Sequence, residues 1–200
     1  YSVPHGFGVH HTVVPDRYRG YYGYDDPKSG AKYALDVKDV IQRGSSGSIA
    51  AFIAEPTQGV GGVIEMPPNY LRDSYKYVRD AGGICISDEV QVGCGRLGES
   101  FWGFELHDVI PDIITIGKPL GNGHPIAAVA CTEDVAEKFA NGMEFFNTFG
   151  GNPVSCAIAT EVLREVKRGE LQENALEVGT FLKSELNHLS KEFPIIGDVR

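Results

Sequence analysis

Long apolar runs, basic clusters, paired cysteines and histidines at ligand spacing are all missing from this 200-residue sequence. No apolar stretch approaches the length a membrane span requires, and no membrane partner is expected. Lys and Arg total 18 against 27 Asp and Glu, a formal charge of −9. There is no basic stripe to neutralise phosphates, which argues against nucleic acid as the partner. Cys85, Cys94, Cys131 and Cys156 form no Cys-x-x-Cys pair, and His10 and His11 are adjacent in a loop, so no metal site is expected. Three of the four cysteines sit among apolar or small residues, as buried free thiols do. A reducing compartment is therefore expected, cytoplasm or mitochondrial matrix. No signal or transit segment is visible. The sequence opens on Tyr1 rather than Met, and we expect it to be the central part of a longer chain.

What is present has the pattern of a globular α/β protein. Hydrophobic residues make up 42%, enough for a core of its own. Pro15-Asp16 and Asp26-Pro27 punctuate an irregular opening with one short strand at Val9–Val14. Tyr33, Val37, Val40 and Ile41 recur at helical spacing and predict a helix ending at Gly44. Ser48–Glu55 reads as a buried strand and TQGVGG as a loop. Pro67 and Pro68 open a helix that runs through Arg79 to a stop at Gly82-Gly83. Ile84–Ser87 is a second buried strand, closed by Asp88-Glu89. The glycine-punctuated QVGCGRLG loop and the aromatic patch Phe101–Phe104 precede strands at Asp112–Ile116 and Ile126–Cys131. Thr132 is placed to cap a short helix that Asn141-Gly142 ends. Pro153–Lys167 and Leu171–Leu189 then read as two longer helices. This alternation predicts an α/β domain with a mainly parallel sheet over residues 1–151. The helices of residues 152–200 lead toward a smaller domain.

Glu55, Asp88 and Lys118 all fall at the C-terminal ends of predicted strands, the edge where open α/β sheets bind ligands. Lys118 follows the β-branched run Ile113–Ile116 and precedes Pro119 and a Gly121-Asn122-Gly123 turn. A lysine closing a strand buried on both faces is partly desolvated, which lowers its pKa and exposes a nucleophilic amine. Schiff-base chemistry needs that state; the plainer alternative is a lysine that snorkels to solvent. Asp88 closes an apolar strand, where a carboxylate needs a cation, a helix cap or a turn to satisfy it. The two could pair with each other, or grip one cofactor from both sides. A pyridoxal 5′-phosphate ring asks for such a grip, with an amine at its aldehyde carbon and a carboxylate that keeps its ring nitrogen protonated.

Four segments carry a family resemblance: EPTQGVGG at 55–62, SDEVQVGCGRLG at 87–98, PDIITIGKPLGNGHP at 111–125 and FNTFGGNPVSCA at 146–157. In this order they resemble the class III pyridoxal-phosphate-dependent aminotransferases, which have fold type I. The resemblance implies a large-domain architecture, with Lys118 as the Schiff-base lysine and Asp88 as the pyridinium partner. It implies that Val90 packs on the ring face and that Gln91 hydrogen-bonds the phenolic O3′. Thr148 would reach the cofactor phosphate of the neighbouring subunit, so the active site would be completed in a homodimer. Glu55 would line the site near substrate, or serve as a structural carboxylate at a strand end. Gly61, Gly62, Gly93 and Gly95 are backbone turns, and Arg96 is expected to anchor its loop through hydrogen bonds. Cys94 departs from the family, where an aromatic or small residue is usual.

The implied reaction moves an amino group from an amino acid such as alanine to a keto acid such as glyoxylate or pyruvate. PDRYRG, the Phe101–Phe104 patch and GDVR resemble the alanine–glyoxylate branch. Phospho-lyases acting on phosphorylated amines share KPLGNGHP and NTFGGNPVSCA, and an inactive fragment is the third reading. A phospho-lyase needs a cation for its substrate phosphate, and the loops near the site offer only Arg96 besides Lys118. The family's glycine/serine phosphate loop and second ring-covering aromatic would precede Tyr1. Its carboxylate-binding arginine would follow Arg200.

Overall fold

A computed structural model describes residues 6–200. In chain order its first elements are α1 (Ser29–Asp39), β1 (Ala51–Ala54), β2 (Thr57–Gln58), β3 (Ile64–Glu65), α2 (Tyr70–Asp80) and β4 (Ile84–Asp88). They are followed by β5 (Ile113–Ile116), β6 (Ala128–Cys131), α3 (Glu133–Phe139), α4 (Pro153–Arg168) and α5 (Leu171–Glu192). The apolar runs form one sheet in the order β1-β4-β5-β6, with β1, β4 and β5 parallel and β6 antiparallel. The chain thus has the mainly parallel α/β architecture expected of it.

Side chains alternate between the faces of a strand, and here the faces differ. On β4, Cys85 and Ser87 are fully buried, while Ile84, Ile86 and Asp88 are only half-buried. The back face is covered by the helices. Tyr33, Ala34 and Val37 of α1, with Ile41 beyond it, meet Leu71, Tyr75 and Val78 of α2 at helical spacing. Cys85, Phe52 and Ala54 pack into the same core. Gly30 lets α1 approach, since a Cβ there would lie on the Pro68 carbonyl. Burial pushes the Cys85 thiol up to about 12, an inert core cysteine.

The front face carries Ile53, Ile86 and Ile113 in register across β1, β4 and β5. No helix of the described residues covers it, and Ile53 and Val129 are 59% and 69% exposed. This corrects the expectation of strands buried on both faces: β5 is half-buried throughout and β6 is exposed. An apolar run records that a strand has partners, not which partners lie within a given stretch of chain. The cysteines follow the same division. Cys85 and Cys94 are buried, whereas Cys131 on β6 and Cys156 on α4 are exposed, so two rather than three are core thiols.

Other elements refine the sequence reading. No strand forms at Val9–Val14; instead Val13 N–H donates to Asp36 of α1 at 2.7 Å. The predicted TQGVGG loop supplies strand β2 at Thr57–Gln58 and, beyond it, the turn of a small antiparallel hairpin, β2–β3. The first predicted helix reaches Gly44 by way of a π-helical turn at Val40–Gly44. Thr132 precedes α3 but makes no capping bond, while Asn152 does cap α4, accepting from Ser155 N–H at 2.9 Å. Helix α5 has no buried residue, and it touches the 95–98 loop, where Gln172 donates to the Gly98 carbonyl at 3.0 Å. No helix of the described residues is long and apolar enough to cross a membrane.

Candidate active site

Parallel register brings the strand ends together. Asp88 of β4 stands opposite Thr115 of β5, and Lys118 follows three residues beyond Thr115. Asp88 Oδ1 accepts from the Thr115 hydroxyl and from Val90 N–H, both at 3.1 Å. Among the described residues Oδ2 takes no hydrogen bond. Lys118 Nζ donates to Gln91 Oε1 at 2.7 Å, across the gap between the two strand ends. Gly117 brings the backbone before the lysine against Val90, since a Cβ there would sit 3.3 Å from Val90 Cγ1.

The expected desolvation of Lys118 is not present: its side chain is exposed. The physical reason is the open front face, which leaves nothing over the strand end where the amine emerges. Lys118 also holds φ at +23°, a conformation that side chains disfavour. Strained backbone of this kind concentrates at functional sites, and the sequence carried no sign of it.

Glu55 joins the same group through the loop that follows it. Its Oε2 accepts from Gly59 N–H at 3.0 Å. Gly59 in turn lies beneath the Gln91 side chain, where a Cβ would stand 2.5 Å from Gln91 Cγ. Glu55 and Asp88 line one open cleft of about 1200 Å³. The structure therefore gathers Glu55, Asp88, Val90, Gln91 and Lys118 at one sheet edge. Thr148 is exposed in the loop before α4, and no hydrogen bond of the described residues ties it to that group.

Arg96 does not anchor its loop by hydrogen bonds; none is made by its guanidinium among the described residues. It is exposed and lines a separate cleft of about 620 Å³ facing α4 and α5. Backbone contacts hold the loop instead, with Gly95 N–H donating to Phe101 O at 2.9 Å.

Sequence reasoning missed the residue beside Asp88. Glu89 is fully buried and points to the back of the sheet edge. Its Oε1 accepts from the Ser87 hydroxyl at 2.9 Å and Phe104 N–H at 3.0 Å, and its Oε2 from Gly103 N–H at 2.7 Å. Burial pushes its pKa up, and the three neutral donors offset that only in part. Pleat parity was the available signal, because a charged residue in step with Cys85 and Ser87 must meet donors behind the sheet. A second missed residue is His124, whose Nε2 lies 2.8 Å from Ser155 Oγ and ties the turn after Lys118 to α4.

Comparison with known proteins gives consistent matches. The family model for aminotransferase class-III matches residues 8–200. The human mitochondrial alanine–glyoxylate aminotransferase 2 is 44% identical over 100% of this chain and 42% of its own length. The Arabidopsis thaliana mitochondrial alanine–glyoxylate aminotransferase 2 homolog 2 is 50% identical, over 96% of this chain and 39% of its own. The chain thus spans about two fifths of the length of these relatives. Among solved structures, an Arthrobacter phospholyase in complex with phosphoethanolamine superposes with a TM-score of 0.86 at 35% identity, covering 96% of this chain and 46% of that one. An (S)-enantioselective omega-transaminase from Thermomicrobium roseum gives 0.88 at 34% identity, covering 100% of this chain and 45% of that one.

Proposed function

The chain belongs to the class-III aminotransferases, and on that premise we propose that it carries the cofactor-binding centre of a pyridoxal 5′-phosphate-dependent transaminase. The observation that supports this most is the meeting of Lys118, Gln91 and Asp88 at the ends of two neighbouring parallel strands. These residues fit the group. Asp88 offers Oδ2 to a protonated ring nitrogen while Thr115 and Val90 steady Oδ1. Lys118 offers a primary amine for the aldehyde, Val90 an apolar surface for the ring, and Gln91 an amide for the phenolic oxygen. When bound, the cofactor supplies an electron sink for the charge left on a substrate carbon that loses a proton.

The tasks assigned to the chain's own residues are those that the family resemblance implies. Asp88 keeps the ring nitrogen charged. Lys118 would hold the cofactor through its amine and would carry the substrate's α-proton on Nζ. Gln91 holds that Nζ in place before loading. Glu55 borders the cleft on the substrate side, and Thr148 serves the phosphate of a neighbouring subunit in a homodimer. The division at 151/152 into a cofactor-binding part and helices leading to a smaller domain belongs to the same proposal. Alanine as donor and glyoxylate or pyruvate as acceptor accord with the names of the human and Arabidopsis relatives. Those names also fall within the cytoplasm-or-matrix expectation.

The Arthrobacter neighbour keeps phosphate elimination from a phosphorylated amine as the second reading. The position of Arg96 counts against it, because this guanidinium lines the cleft beside α4 and α5 rather than meeting Lys118. The test gives the full-length enzyme alanine without a keto acid. The cofactor's visible absorption should change once, stall, and recover when glyoxylate or pyruvate is added. Steady release of phosphate and ammonia from phosphoethanolamine with no acceptor would establish the second reading instead.

A further inference from the structure

The aromatic patch and its neighbours have a task that the reaction itself does not explain. The 3₁₀ turn Gly103–His107 lies behind the sheet edge and touches both strand ends that carry candidate site residues. Toward β4, Gly103 and Phe104 N–H groups converge on the Glu89 carboxylate, which the Ser87 hydroxyl also reaches. Toward β1, His107 Nε2 donates to the Pro56 carbonyl at 3.0 Å, directly after Glu55. Since a carbonyl only accepts, the ring carries its proton on Nε2; burial favours this neutral form by depressing the His107 pKa.

The packing leaves little slack. A Cβ on Gly103 would stand 2.9 Å from Val92 Cγ2 and 3.0 Å from Pro56 Cβ. One on Gly93 would stand 3.0 Å from Trp102 Cζ3. The turn is held in turn by Glu105, whose Oε2 accepts from Phe101 N–H at 3.0 Å and Trp102 N–H at 2.9 Å. The Glu89 backbone continues the sheet ladder by donating to Thr115 O at 2.9 Å, and its own carbonyl accepts from Gly93 N–H at 2.9 Å.

We propose that Glu89, clasped by the Gly103–His107 turn, is a positioning residue that fixes where Asp88, Val90 and Gln91 stand. This rests on the reading of Asp88 and Lys118 as cofactor residues. Glu89 touches no reacting group; it acts through the backbone of the SDEVQ segment, with Asp88 on one side and Val90 on the other. Among the described residues Asp88 itself is steadied by two neutral donors. Its alignment with the ring nitrogen therefore depends on the backbone that Glu89 anchors.

The experiment compares full-length, cofactor-loaded Glu89→Gln with Val78→Ala, a fully buried residue of the α1–α2 core that faces away from the site. The amide of Gln turns a donor toward one of the converging N–H groups, so the clasp opens at one oxygen. We expect kcat to fall by about tenfold or more with KM nearly unchanged, because sub-ångström misplacement acts on the chemical step. We also expect the pH midpoint of the cofactor's visible absorption to move by about half a unit or more. Val78→Ala should lose thermal stability and move neither. Should Glu89→Gln fail to fold, Ser87→Ala removes one donor and keeps the carboxylate, with a smaller shift of both readouts expected. Wild-type kcat and midpoint in the soluble variant, or equal shifts in Val78→Ala, would overturn the proposal. A wild-type protein that binds no cofactor would overturn the functional reading and this one with it, so the two failures are distinct.

Discussion

Asp88 and Glu89 are consecutive carboxylates with opposite fates. Asp88 faces the open front of the sheet, half-buried, with one oxygen steadied and the other unengaged among the described residues. Glu89 faces the back, wholly buried, with three donors on its two oxygens. The strand's two-residue period produces the difference, since a one-residue step moves a side chain to the other face. A carboxylate meant to receive a ligand must leave acceptor capacity open. A carboxylate meant to hold backbone must have its capacity used within the fold, because buried unpaired charge is costly. The front is thus built for exchange and the back for permanence, with the second holding the first in place.

The largest effect is expected at the front. In the full-length enzyme, Lys118→Ala should lower transamination by about a thousandfold or more, since it removes both the anchor and the proton carrier. The fold should persist, because the Lys118 side chain is exposed and among the described residues makes one hydrogen bond. Borohydride treatment of the wild type should fix the cofactor on the peptide containing Lys118, and the variant should take up no label. Label recovered on Lys138 or Lys167 would show that the front of the edge is not the site.

At the turn that braces Glu89, overpacking should be read first in stability. Gly103→Ala drives a methyl into Val92 and Pro56 at contact distances of 2.9 and 3.0 Å. Overpacking of this kind costs about 1–3 kcal/mol. Denaturant unfolding of the full-length protein should show that loss. Unchanged stability would mean that the turn gives way freely and cannot brace anything.

The sequence reading and the structure agree where periodicity carries the information. The apolar runs ending at Glu55, Asp88 and Lys118 do become β1, β4 and β5, and the 3.6-residue stripe of Tyr33–Ile41 joins the helix that Pro67-Pro68 opens to form the helical cover. They part where the partners are backbone groups or lie far along the chain. Glu89 depends on the N–H groups of Gly103 and Phe104, which no residue type announces. The β2–β3 hairpin is too short to show a period. The exposure of Lys118 was hidden for another reason: hydropathy reports that β5 is apolar, not which face is covered. PDRYRG and GDVR were both visible as segments, yet nothing in either indicated that they meet.

They do meet, and the contact yields the smallest of the expected effects. Arg200 NH1 lies 3.3 Å from Asp16 Oδ1, with both side chains nearly buried, and Arg200 Nε lies 2.8 Å from Asp198. Tyr24 adds a hydroxyl to Asp198 at 3.0 Å. Burial raises the Asp16 pKa, but the backbone N–H groups of Tyr18 and Arg19, together with Arg200, outweigh it and hold the carboxyl below its usual value. A carboxyl whose folded pKa is depressed contributes stability that is fully present above its unfolded value, near 3.8. That stability is lost as pH falls through the lower folded value. Asp16→Asn keeps an acceptor for Tyr18 N–H and loses the charge pair, so at pH 7 it should cost about 1 kcal/mol. Unfolding of the two full-length proteins followed from pH 7 down to pH 3 should show the gap closing only below about pH 4, where the wild-type carboxyl begins to protonate. A gap that stays constant over that range would mean that the Asp16 charge contributes nothing and that packing alone joins these two segments.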